Sequence, residues 1–243
     1  MKSRHIWFSI AAVLLFGFLL SRGYGDAEFL MREGNYYFGS GEYDLERAER
    51  AFERAVGIEP GILWGHYQLA RIYFIKEEFE KALEEINLEL EFNPENLRSL
   101  YVRGLIYGYG GELEKAEEDF RNFTRWAPKE WAGYNDLAWI LAVREKYEEA
   151  REVILRSFEE VPGARENPWL FNSLGVAELN LKEHPEAEKS FKKARELSGK
   201  LSENDWRLAY PGNNPDSFEF QLKAFQEAIE TNLQKARLVD KQL

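Results

Sequence analysis

Along most of the chain, apolar residues recur every three or four positions, and turn residues interrupt them at even distances. The stretch "YVRGLIYGYGGELEKAEEDF" (101–120) shows the unit. Leu100, Arg103/Gly104 and Tyr107 follow the i, i+4, i+7 rhythm of one helical face. Gly110 and Gly111 break that helix, because glycine readily takes the left-handed conformation that a helix end requires. A second helix is predicted from near Glu112, burying Ala116, Phe120 and Phe123 and stopped by Trp126-Ala127-Pro128. Gly104 and Ala116 are small where two antiparallel helices must pass closely.

The same cadence repeats. Ala48, Ala82, Ala116 and Ala150 stand 34 residues apart, as do Pro60, Pro94, Pro128 and Pro162. Small residues Ala70, Gly104 and Ala138 keep that step, and Gly175 follows after 37. Bulky residues keep pace: Phe52, Ile86, Phe120 and Ile154, then Phe191, with His66, Leu100, Tyr134 and Phe171 as a further row. A period of this length carried by helix–turn–helix units is the mark of a repeat architecture in which neighbouring hairpins bury each other's faces.

These columns resemble the tetratricopeptide repeat family, whose 34-residue unit has the same order of bulky, small, aromatic, alanine, aromatic and proline positions. The resemblance implies an all-α, right-handed α-solenoid. Five repeats are expected at 27–62, 63–96, 97–130, 131–164 and 168–201. The first carries two extra residues in its turn, "GEYDLERA", and the last follows the insertion "REN" and has Glu178 where an aromatic or Leu is expected. Residues 202–216, with Pro211 and Pro215, read as an irregular linker. From 217 to 240 a helix with Phe218, Leu222, Phe225, Ile229 and Leu233 at helical spacing is expected to cap the stack.

The N-terminus differs from the rest. Residues 1–25 hold Lys2, Arg4 and Arg22 and no acid, around an uncharged run Ile6–Leu20. As a helix that run rises about 22 Å, short of a hydrocarbon core of about 30 Å and suited to a signal-peptide core. It is expected to be either an uncleaved membrane anchor or a cleaved signal peptide. Either way the basic end stays in the cytoplasm, and the repeats are membrane-anchored on the extracytoplasmic side, or exported or periplasmic after cleavage. Residues 26–243 carry 29 basic against 43 acidic side chains, and the whole chain has a formal charge of −11. Such a surface repels phosphate backbones, which argues against a nucleic-acid partner, and it steers basic segments toward itself.

Little points to catalysis. The chain has no cysteine, hence no disulfide, thiolate metal site or cysteine nucleophile. Phosphate-loop, zinc-protease and serine-elbow motifs are absent, and no cofactor or metal is called for. His66 falls in the bulky core column, and His184 in the turn "KEHPEAE" reads as a solvated loop residue. Acid pairs such as Glu84/Glu85, Glu117/Glu118 and Glu148/Glu149 read as a solvated outer face. In the family the first helices line a concave groove that holds the ligand. Carried over, the candidate groove residues are Asn35, Phe38, Trp64, Tyr67, Arg71, Phe74, Arg98, Tyr101, Tyr109, Asn135, Trp139 and Asn172. Aromatics and arginine commonly anchor partners, and the asparagine amides both donate and accept. The family's carboxylate clamp for peptide C-termini is not expected, because Met31 and Val102 stand where a lysine and an arginine belong. The reading is a non-catalytic scaffold binding a protein or peptide with basic or apolar segments, tied to a membrane through residues 6–20 if uncleaved. The alternative is a structural subunit of an envelope assembly (a pilus, secretion or cytochrome-maturation apparatus) that contacts its neighbours through the C-terminal helix or convex face.

Overall fold

The computed structural model describes residues 25–210 and 212–239. Among these residues the regular structure is helical, with no strand. The apolar N-terminal run 6–20 lies outside them, and no helix of the described residues is long and apolar enough to cross a membrane. The chain divides into two compact units, 1–94 and 95–243.

In the first unit, α1 (25–35) runs into a π-helical turn, Tyr36–Ser40, and is followed by α2 (Leu45–Ile58), α3 (Gly65–Ile75) and α4 (Phe79–Phe92). The longer turn predicted in "GEYDLERA" is this π turn and the loop after it; Asp44 then caps α2 by accepting from the Arg47 N–H at 3.0 Å. In the second unit the helices are α5 (Leu97–Tyr109), α6 (Leu113–Trp126), α7 (Trp131–Val143), α8 (Tyr147–Glu160), α9 (Pro168–Asn180), α10 (His184–Ser198), α11 (Glu203–Ala209) and α12 (Phe218–Val239). Hairpins pair each first helix with the next, and α12 packs on α10, where Ile229, Leu233 and Ala236 close over Ala187, Phe191 and Ala194. The expected all-α fold of five hairpins and a C-terminal capping helix is what the structure shows.

Two local devices repeat. The first is the turn. Glu77, Gly111, Glu145 and Lys182 hold φ of +60°, +85°, +59° and +64° at spacings of 34, 34 and 37 residues. Each follows the same double bond: Glu77 N–H donates to Phe74 O and Glu78 N–H to Tyr73 O, and the other three turns copy this pair. This is the Schellman ending, in which a left-handed residue lets two amides satisfy the last carbonyls of the helix. The second device is a size match. A Cβ built on Gly34, Gly104 or Gly175 would sit 2.5, 2.9 or 2.7 Å from the ring of Phe52, Phe120 or Phe191. In the two hairpins where the bulky residue is Ile86 or Ile154, the small position is Ala70 or Ala138, and all four are buried. Ring against glycine, and branched aliphatic against alanine, fill the same interhelical gap at interior packing density.

Ion pairs tie helices together both within a hairpin and between neighbouring ones. Glu117 is not on the solvated face the acid pairs suggested. It is buried in α6 and accepts from Arg121 at 2.8 Å, from Lys146 at 3.0 Å and from Arg144. Burial alone pushes its carboxyl up, but Arg121 and Lys146 outweigh it and hold it below the usual carboxylate range. Arg103 grips Asp119 with two 2.8 Å bonds, and Arg151 holds Glu183 at 2.6 Å. His66 is a core residue as expected: its Nδ1 lies 2.7 Å from Glu85 and its Nε2 3.0 Å from Pro60 O, with the ring stacked on Phe92. Glu178 is buried too, and Ser190 donates to it at 2.6 Å.

Residues 203–209 depart from the irregular linker. Ser202 and Asp205 form a capping box, with the Asp205 N–H donating to Ser202 Oγ at 3.2 Å and the Ser202 N–H to Asp205 Oδ2 at 2.8 Å. One buried ring, Trp206, holds the short helix down and donates from Nε1 to Gln221 of α12 at 2.9 Å. His184, expected in a loop, is the first residue of α10.

Candidate partner-binding face

The candidate groove residues fall in both units. In the first, Trp64 precedes α3 in the left-handed region (φ +70°), and its ring meets Tyr67 edge-on at 5.1 Å. Arg71, one turn further along α3, lies 4.6 Å over Phe38 and 5.4 Å over Tyr67, and donates to Gln68 at 2.8 Å. Gln68 in turn donates to Asn35 at 2.6 Å. Phe38 and Tyr67 are buried, and Phe74 meets Phe79 at 6.1 Å. The guanidinium and its rings thus hold α1 and its π turn against α3.

In the second unit α5, α7 and α9 lie side by side, with α6, α8 and α10 behind them. Their shared face carries Arg98, Tyr101 and Tyr109 from α5, Asn135 and Trp139 from α7, and Asn172 from α9. These residues behave differently from one another. The Tyr101 ring packs on Phe123 at 5.0 Å and Phe120 at 5.7 Å. Its hydroxyl donates to Asp136 Oδ2 at 2.6 Å. Asn135 donates to the other oxygen of Asp136 at 2.9 Å and accepts from Ser173 of α9 at 2.8 Å. This chain of polar groups crosses three helices. Arg98 is exposed. Tyr109 is 60% exposed, and its ring leans on the half-buried Trp139 at 4.9 Å. Asn172 Oδ1 is buried and has no hydrogen-bond partner among the described residues.

Two participants were not foreseen. Asp136 is the hub of the face. Burial pushes its carboxyl up to about 6 against the hydrogen bonds from Tyr101 and Asn135, and part of the residue still reaches solvent. The other is the segment around α11. Trp169, also on α9, is stacked between Trp131 at 5.2 Å and Phe225 at 5.7 Å, with Trp206 and Tyr210 against it at 5.8 and 6.0 Å. The chain's own C-terminal rings therefore cover that end of the face. Tyr210 also packs on Trp206 at 4.8 Å. The capping signature Ser202-x-x-Asp205 was the available signal for α11; nothing local marks Asp136.

Hairpins of this length, joined by a repeated left-handed turn and matched small-to-bulky across each pair, define one architecture. The fold is that of tetratricopeptide repeat proteins. Residues 101–165 match the tetratricopeptide repeat family model. Among curated relatives, the chain is 26% identical over 146 residues to BBSome complex member BBS4 of Bos taurus and 32% identical over 136 residues to a TPR repeat-containing protein of Methanocaldococcus jannaschii. The matches take in 60% and 52% of this chain but only 27% and 22% of those proteins. Among solved tetratricopeptide folds, MamA of Desulfovibrio magneticus RS-1 superposes with a TM-score of 0.64 at 17% identity, covering 73% of this chain and 98% of that one. YrrB, described as a TPR protein with an unusual peptide-binding site, gives 0.58 at 18% identity over 76% and 93%. At these identities the tetratricopeptide likeness establishes the fold, not the ligand.

Proposed function

We propose that the protein is a non-catalytic scaffold that binds a protein or peptide partner, and that the α5–α7–α9 face is where the partner sits. The observation that carries this reading is the pair Tyr109 and Trp139. A tyrosine of this size, left largely in water against a tryptophan and not folded into the core, presents rigid apolar area with a polar tip, the profile of an interface anchor. Arg98 and the unpartnered Asn172 oxygen supply polar contacts on the same face. Asn35, Phe38, Tyr67 and Arg71 serve in this reading as the wall that keeps the first unit rigid. Trp64 and Phe74 are further contact candidates there. A peptide-binding tetratricopeptide protein such as YrrB is a precedent for the class of ligand.

The basic, apolar start of the chain supports a location on the extracytoplasmic side of a membrane, anchored or released. N-terminal sequencing of the membrane-extracted protein distinguishes the two. The binding reading is tested by placing a photo-cross-linking amino acid at Tyr109 in the full chain and identifying adducts by mass spectrometry. A discrete adduct lost in Arg98→Ala, at unchanged helicity, supports it. Absence of any adduct from Tyr109, Trp64 and Phe74 together counts against it.

One observation favours the structural-subunit alternative: Phe220, at 77% exposed, and Leu208 lie on the C-terminal segment rather than on the α5–α7–α9 face. If Phe220→Ser dissolves a native complex that Tyr109→Ala leaves intact, the contact surface is the cap.

A further inference from the structure

Two buried acids of the second unit are settled by cations: Asp119 has Arg103, and Glu117 has three basic neighbours. A third, Glu178, takes a bond from the Ser190 hydroxyl. Asp136 has no cation either: among the described residues its bonds come from a phenol and an amide, and no ion pair reaches it. What surrounds it is aromatic. Tyr101 donates to it, and one turn along α7 stands Trp139, on which the Tyr109 ring of α5 leans at 4.9 Å. A partly buried carboxylate without a cation is unfavourable. A positive group carrying several N–H donors satisfies it, while tyrosine and tryptophan rings attract such a group through their faces.

We propose that Asp136, Tyr109 and Trp139 form a receptor for one positively charged side chain, a lysine ammonium or arginine guanidinium, on the partner polypeptide. The proposal rests on the partner-binding reading above and names the chemistry of the residue that enters. A chain of formal charge −11 draws such a partner in, and a single uncompensated acid among rings then selects the residue that docks. The bond from Tyr101 fixes the carboxylate and the bond from Ser173 fixes Asn135, so the acceptor is pre-oriented by residues that do not themselves touch the guest. Tyr101 keeps its phenol proton more tightly than usual, burial being the first cause, and so stays a donor to the carboxylate through the physiological range.

The test uses the full chain with Nα-acetyl-lysinamide and its uncharged match Nα-acetyl-norleucinamide, followed through the indole N–H signal of Trp139 by NMR. The expected result is saturable binding of the lysine compound alone. Binding weakens as pH falls through about 6, where Asp136 takes up a proton. Asp136→Asn weakens it by about tenfold, the effect of losing a charged acceptor, and Tyr109→Ala by about two- to fivefold, the effect of losing one cation–π face. Equal response to norleucinamide, or an unchanged lysinamide affinity in Asp136→Asn, overturns the proposal. If Asp136→Asn unfolds, the pH titration of the native chain decides, and a flat profile between pH 5 and 8 refutes it. A Tyr109 adduct that forms equally well in Asp136→Asn removes the cation receptor while leaving the face a binding surface. Lysinamide binding without any adduct does the reverse.

Discussion

Exchanging the size match of one hairpin for that of its neighbours tests the packing logic directly. In the α5–α6 hairpin, Gly104→Ala places a Cβ 2.9 Å from one carbon of the Phe120 ring and 3.1 Å from two more. Carbon atoms are at ease near 3.5–4.0 Å, so the ring has to move by more than half an ångström. Phe120 is fully buried, and Tyr101 stands edge-on to it at 5.7 Å, so it has nowhere to go without disturbing a second ring. Overpacking of this kind costs about 1–3 kcal/mol, against a gain of about 1 kcal/mol from replacing glycine by alanine inside a helix. The single variant is therefore expected to lose roughly 0–2 kcal/mol. Phe120→Ile alone leaves a void beside a glycine and is expected to cost about 1–3 kcal/mol. The double variant rebuilds the Ala–Ile pair that the chain already uses at Ala70/Ile86 and Ala138/Ile154, so clash and void should cancel. A favourable coupling of at least about 1 kcal/mol is expected, within the range seen for touching residues. Urea unfolding of the full chain followed by circular dichroism at 222 nm measures the cycle, and each kcal/mol moves Tm by about 2–4 °C for a unit of this size. Additivity of the two changes to within about 0.3 kcal/mol would mean that Gly104 and Phe120 do not share one gap, and the size-match argument fails.

Glu145→Gly should stabilise the α7–α8 turn by up to about 1 kcal/mol, because φ of +59° strains any residue with a Cβ; a lower urea midpoint would show that the glutamate side chain contributes more than the strain costs. Asp136 should make stability depend on pH. Its folded pKa of about 6 exceeds the ordinary 3.8, so its favourable contribution is complete below pH 3.8 and disappears as pH rises through about 6. At about 1.4 kcal/mol per factor of ten the difference is roughly 3 kcal/mol, and Asp136→Asn should flatten that part of the profile in urea titrations between pH 4 and 7. Leu233→Ala, in the core between α12 and α10, should cost about 2–5 kcal/mol; a loss below 1 kcal/mol in the same unfolding assay would show that α12 does not cap the stack.

Much of this molecule was legible from its residues because helical hairpins are local objects. The 34-residue columns, the stop at Pro128 and the glycine at 111 act within a few turns of chain, so spacing alone predicts where helices begin, end and touch. The residues 203–209 were harder: a capping box stood in the sequence, but a seven-residue helix followed by Pro211 and Pro215 is held by one buried tryptophan, and what Trp206 lies against is decided elsewhere. The candidate face shows the limit most clearly. Spacing puts Tyr101, Tyr109, Tyr67 and Arg71 on the same kind of helical surface, yet Tyr109 remains exposed while Tyr101 is wedged on Phe120 and Phe123, and Arg71 is stacked on Phe38 and Tyr67. Asp136 looks like any other acid in an acidic chain until Tyr101, Asn135 and Ser173 arrive from three helices. Periodicity fixes which way a side chain leaves its own helix. Whether it then meets water, a ring or a charge depends on neighbours in other helices, and those are brought together only when the hairpins form and stack.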